Sequence, residues 1–301
     1  MPGVADDPRY PIVLASAAVE AAWQGRLDDM HRFLDEAIAA AARLGMEHDA
    51  SLVGAQSWAA MVEGDLDRYR RIMDDSTVRW RARGDDARLA LALSSSALAR
   101  ALAGDEMTTA IAEVDEALSL ARTARVPRVV SLSVQATAAF VVADLQPERA
   151  RELMHTALNS TKDGDLSPVS AVLGDVAERL GDQRLALELF VAGMEAFHWL
   201  GHSEVLGRML RRIGLLLVHG DPQTAALLIG AGTARSRAAT LTERVEEQHR
   251  RGIDALESAL GPDRCQELLS QGTLMDENNA LAAARAAAAN TLSSTETTDI
   301  A

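Results

Sequence analysis

The stretch "AALLIGAGTARSR", residues 225–237, admits two readings. In the first, Ala225 to Ile229 form a strand that feeds a glycine-rich phosphate loop at Gly230 and Gly232, with Arg235 and Arg237 just beyond. In the second, the whole stretch is a helix that needs two small residues where a neighbour comes close. A dinucleotide fingerprint requires G-x-G-x-x-G between a strand and a helix, with an acid about 20 residues further on. Here the third glycine position holds Arg235, and no second strand is evident to build the sheet such a site requires. The helical reading is preferred, and it is strengthened by where the stretch falls in the rest of the chain.

Similar segments recur. "QGRLDDM", "EGDLDRY", "AGDEMTTA", "ADLQPERA", "LGDQRLA" and "HGDPQTA" each follow one amphipathic run and precede another. After each turn comes a first register position: Met30, Tyr69, Ala110, Ala150, Ala186 and Ala225, spaced by 39, 41, 40, 36 and 39 residues. Four residues on stand Leu34, Met73, Val114, Met154, Phe190 and Ile229, all apolar. Three further on stand Ala37, Ser76, Ala117, Ala157, Gly193 and Gly232, all small. Offsets of four and three place the positions on one helical face. A face that runs small or apolar, large, small lets a neighbour approach closely. Repeated at one period, it predicts an all-α helical-hairpin solenoid, in which each unit buries its face by stacking on the next.

The turns fit this reading. Gly ends a helix in the left-handed conformation, and Asp is a preferred N-cap for the helix that follows. Pro147 and Pro222 suit a first turn, where a missing N–H costs little. The expected helix pairs are 10–24/27–44, 48–63/66–83, 86–103/106–124, 128–142/146–160, 168–180/182–199 and 203–219/222–238. The predicted organisation is a flexible N-terminus (1–9), six hairpins (10–239), C-terminal capping helices (240–290) and a disordered polar tail (291–301). In the cap, Val245, His249, Ile253, Leu256 and Leu260 share one helix face, Pro262 opens a short helix, and Asp276 caps a last one. The loop "STKDGDLSP" (160–168) is the longest expected break.

Composition agrees. Of 301 residues, 48% are apolar but only 3% aromatic, which suits close helix packing better than strands. Net charge is −14, so phosphate neutralisation by Lys and Arg is a poor description of this surface, and no direct nucleic-acid binding is expected. Lys162 is the sole lysine. Cys265, the single cysteine, allows no internal disulfide and is expected to be a buried inert thiol. The opening "MPGVADDPRYP" lacks a basic segment before an apolar core, and no run is long enough to span a membrane. A cytoplasmic protein with no membrane partner is expected.

The hairpins resemble tetratricopeptide repeats, most clearly at Gly181, Ala186, Phe190 and Gly193. Residues 222–284 also resemble the C-terminal end of large bacterial ATP-dependent transcriptional regulators of the MalT-like and AfsR-like group. The segments that carry this likeness are "AALLIGAGTARSR", "TERVEEQHRRGIDALESALG", "CQELLSQG" and "LMDENNALAAA". The resemblance implies a right-handed solenoid with a sensor or interaction role and no catalysis. Its partner would be a protein or peptide, or a small-molecule inducer. The chain departs from such regulators in having no G-x-x-x-x-G-K-[ST] phosphate loop and no closing helix-turn-helix. No cofactor is expected.

Other chemistry is weaker. "HWLGH" sets His198 and His202 four apart, a spacing that can hold a metal on one helix, but Gly201 is expected to end the helix between them. "RWRAR" (Arg79, Trp80, Arg81, Arg83) closes the second hairpin, where basic residues favour a helix C-terminus. "GRMLRR" brings Arg208, Arg211 and Arg212 within just over one turn on a first helix, the kind that lines the groove in such repeats. These three are the candidate partner-binding residues, suited to a carboxylate or acidic peptide. A solvated face or salt bridges within the repeat is the simpler explanation of the three.

Overall fold

A computed structural model describes residues 6–123, 126–161, 169–236 and 243–298. Among these residues there is no strand. The order is α1 (Arg9–Trp23), α2 (Leu27–Leu44), α3 (Ala50–Val62), α4 (Leu66–Arg83), α5 (Asp86–Ala103), α6 (Met107–Thr123), α7 (Arg128–Val142), α8 (Pro147–Ser160), α9 (Ser170–Arg179), α10 (Gln183–Trp199), α11 (Ser203–Leu217), α12 (Pro222–Arg235), α13 (Glu243–Leu260), α14 (Pro262–Thr273) and α15 (Glu277–Thr298). The expected loop from 162 to 168, Lys162 and Arg237 lie outside the described residues.

Every register position is buried. Met30, Tyr69, Ala110, Ala150, Ala186 and Ala225 point inward, as do Leu34, Met73, Val114, Met154, Phe190 and Ile229. Ala37, Ser76, Ala117 and Ala157 are buried too, with Gly193 and Gly232. All fall on α2, α4, α6, α8, α10 and α12, the second helix of each hairpin. The chain is therefore an ordered set of packed helical hairpins. It divides into two compact units, Met1–Val134 and Gln135–Ala301, with the division inside α7.

Local chemistry sets the helix ends. Gly64 and Gly181 take φ of 76° and 81°, open to glycine at little cost. The following Asp65 and Asp182 accept from the N–H of Arg68 (2.9 Å) and Leu185 (3.0 Å). Such a cap contributes about 1 kcal/mol. Asp85 and Asp221 cap α5 and α12 in the same way. Gly220 differs: it is not left-handed, and the sixth turn keeps only the aspartate cap.

The opening stretch is helical to Arg235. Gly232 faces α11, where a Cβ would overlap the Gly207 carbonyl and lie 2.6 Å from Arg211 Cγ. Gly230 faces elsewhere, since residues two apart on a helix point to different sides. A Cβ at Gly230 would overlap the Leu269 carbonyl of α14 and come within 3.2 Å of the Gly272 Cα. Helix α12 is thus held between α11 and α14, and each glycine serves one crossing.

The C-terminal cap is as expected in outline. Pro262 sits in the first turn of α14, and Asp276 accepts from the Asn279 N–H at 2.9 Å. Two details differ. Val245 is 39% exposed while Leu256 is fully buried, so the apolar face of α13 begins later than expected. Gln248 and His249 make the inward contacts of the earlier turns. The helix α15 continues to Thr298, where polarity predicted a disordered tail from 291. Thr291 and Ser293 donate their hydroxyls to the carbonyls of Ala287 and Ala289, which absorbs their polarity within the helix.

The crossing predicts opposite responses at two helical glycines. Gly232→Ala should lower the unfolding free energy by about 1–3 kcal/mol through overpacking. Gly54→Ala, in α3 with nothing within 4 Å of an added Cβ, should raise it by about 0.5–1 kcal/mol. Urea midpoints of the two variants check both; equal effects would remove the close crossing.

Candidate functional site

The candidate arginines are separated by their surroundings. Arg212 is committed internally. Its guanidinium pairs with Asp175 (2.6 Å) and Glu178 of α9 and donates to Gln248 Oε1 of α13 at 2.8 Å. It also lies over the Phe190 ring, 5.3 Å from the centroid. Burial holds the Glu178 carboxyl above its usual range, and the Arg212 charge opposes that shift. Arg212 therefore ties α9, α11 and α13 together, so its ion pairs run between hairpins and not within one as expected.

Arg208 and Arg211 are different. Glu204, in the first turn of α11, is wholly buried. It accepts from the Ser236 hydroxyl at 2.5 Å, and Ser236 in turn accepts from Arg211 Nη2 at 3.1 Å. Arg208 Nε stands 4.0 Å from Glu204, within ion-pair range but beyond a hydrogen bond. That Nε is buried and has no hydrogen-bond partner. Both guanidiniums are pushed below the usual arginine range, first by burial. For Arg211 the next cause is repulsion from Arg208. His249 of α13 is also lowered, by burial and then by the charge of Arg211. Two like charges and an imidazole thus converge where α11, α12 and α13 meet.

A second ionic cluster lies in the first unit. Arg100 of α5 is buried. It reaches Asp74 of α4 (3.1 Å), Glu106 (2.9 Å) and Glu113 of α6 (3.4 Å), and Ser96 donates to Asp74 and Glu113. Glu106 is held at a positive φ of 48°. Burial raises the Glu113 carboxyl, and its Oε2 is buried without a partner. Sequence reasoning did not single out Arg100. The available signal was its spacing: Leu89, Leu93, Ser96 and Arg100 share one helix face, so the arginine occupies a core phase.

The histidines part as expected. Helix α10 ends at Trp199, Gly201 is left-handed (φ 72°), and His202 begins α11. His198 Nδ1 lies 2.5 Å from Glu277 Oε1, joining the end of α10 to the start of α15. That pair puts Trp199 and Leu200 at the same end of the second unit as Leu274. Trp199 is 84% exposed, Leu274 87% and Leu200 52%. The stretch had been read for its histidines and not for its aromatic. In "RWRAR", Trp80 is buried beneath Arg83 and Arg88, Arg81 pairs with Glu116 of α6 at 2.6 Å, and Arg79 meets His48. Those arginines are structural. Cys265 is buried, and burial raises its thiol.

In comparisons with known proteins, no family model matches the chain and no curated protein matches it.

Two outcomes follow. Arg212→Ala should cost about 2–3 kcal/mol in urea unfolding, because it strands a buried carboxylate; a loss under about 0.5 kcal/mol would mark Arg212 as an ordinary surface cation. The second concerns pH. A carboxyl whose folded pKa is raised favours folding when protonated, so its contribution is complete below the unfolded value and is lost as pH rises through the folded one. Glu113→Gln should therefore gain stability relative to the parent as pH climbs from 5 to 7, read from urea midpoints across that range. A difference that is flat with pH would contradict the raised carboxyl.

Proposed function

We propose that this chain is a non-catalytic, tetratricopeptide-like interaction domain that binds a protein partner. The resemblance of residues 222–284 to the MalT-like and AfsR-like regulators supports a role in transcriptional or signalling control. The observation that carries the reading is the exposure of Trp199, Leu200 and Leu274 in the second unit, the first two directly after His198 and the third three residues before its partner Glu277. Exposed single apolar residues are ordinary on any surface. An almost fully exposed tryptophan next to an exposed leucine is less so, and tryptophan is enriched among residues that dominate protein interfaces.

The buried register supports the same reading. Hairpins packed at one repeated face hold such a patch on a rigid frame. Arg212 is engaged within the fold, and Arg208 and Arg211 are half-buried on α11 and present no flat exposed surface.

The test uses the full chain as bait, with Trp199→Ala and Leu274→Ala as single variants. Both side chains are exposed, so folding stability should stay within about 0.5 kcal/mol of the parent. Retention of the partner should fall at least about tenfold for Trp199→Ala. Undiminished capture by both variants would overturn this assignment of the surface.

A further inference from the structure

We propose that Arg208 and Arg211 form a recessed binding site for a single carboxylate group, at the meeting of α11, α12 and α13. Three observations place it. The two guanidiniums stand on one face of α11, three residues apart, and among the described residues the buried Arg208 Nε has no hydrogen-bond partner. Arg211 makes one, to the hydroxyl of Ser236. That hydroxyl directs its own proton to the buried Glu204, and Asp175, the other carboxylate that acts on Arg208, is paired with Arg212.

The recess is constructed rather than accidental. Gly207 and Gly232 bring α11 and α12 so close that the Arg211 stem lies against Gly232. Its guanidinium is thereby held near Arg208 in spite of their repulsion. A guanidinium fork matches a carboxylate in plane and spacing, and two forks can grip both of its oxygens. Ser236 and His249 add neutral polar groups at the rim.

The charge already present selects among anions. Glu204 is a buried negative group beside both arginines. A singly charged carboxylate relieves the repulsion between Arg208 and Arg211 with a small penalty from Glu204. A phosphate dianion would double that penalty in the same recess. The ligand class is therefore a monocarboxylate group, whether on a free metabolite or at the C-terminus of a peptide. The two assignments rest on different residues, so either can fail without the other.

The test is titration calorimetry and thermal unfolding of the full chain with acetate, succinate, inorganic phosphate, and one short peptide in free-acid and amidated forms. Binding should appear for a carboxylate and be at least about tenfold weaker for phosphate. Saturation by acetate or succinate assigns a free metabolite, whereas binding only by the free-acid peptide assigns a peptide terminus. Arg208→Gln and Arg211→Gln should each weaken binding by at least about tenfold, and Arg211→Lys, which keeps the charge and loses the fork, should weaken it too. Arg211→Gln removes a repulsion from Arg208 and should unfold at or above the parent's temperature, whereas Arg208→Gln also removes the cation beside the buried Glu204 and should unfold below it. Trp199→Ala should bind carboxylate as the parent does. No carboxylate response at millimolar concentration, equal response to phosphate, an unchanged response in the Arg208→Gln, Arg211→Gln double variant, or a sharp loss of stability in Arg211→Gln would overturn the proposal.

Discussion

At Gly232 the backbone of α12 meets that of α11 with no room for a methyl group. The helices cross there through Gly207 and again near Gly214, where Ile229 and the Ala225 carbonyl fill the space a side chain would take. On the other side of α12, Gly230 and Gly272 allow α14 to come equally close. Much of the second unit follows from this. A helix gripped on two sides must be narrow on two sides, and two glycines separated by one residue supply that. Each costs about 1 kcal/mol in helix propensity against alanine, which the burial of Ile229, Leu228 and their neighbours offsets.

The same crossing positions the polar chemistry. Arg211 emerges beside Gly232, and Ser236 follows the last turn of α12, so its hydroxyl falls between Arg211 and Glu204. One residue further along α11, Arg212 points about 100° round the helix and joins α9 and α13 through Glu178 and Gln248. Adjacent arginines on one helix thus have different tasks. One closes an internal ion pair and the other remains short of a counter-charge. In the first unit, Arg100 gathers Asp74, Glu106 and Glu113 and so links α4, α5 and α6. Neither network is a local feature of sequence, since each joins residues tens of positions apart.

That distinction explains what could be read from the chain alone. The register was legible because it repeats, and the second helices bury the positions it marks from Met30 to Gly232. Helix ends were legible where Gly and Asp stand together, as at Gly64–Asp65 and Gly181–Asp182. The role of Gly232 followed from its place in that register. The role of Gly230 did not, because it depends on α14 folding back from about forty residues away. Arg212 was grouped with Arg208 and Arg211 by spacing, yet residues 208 and 212 meet different neighbours. The division within α7 left no mark in "RVVSLSVQATAAFVV", whose apolar pattern is that of any buried helix. The exposed Trp199 was visible as a letter but not as a surface.

The central claim is that residues 222–235 form a helix gripped from two sides. Amide hydrogen exchange of the intact chain tests it directly. If the claim holds, the amides from Ile229 to Thr233 exchange only when the second unit unfolds, with protection equal to that of the core of α11. Exchange of the Gly230 and Gly232 amides within seconds, as in an open loop after a strand, would contradict it.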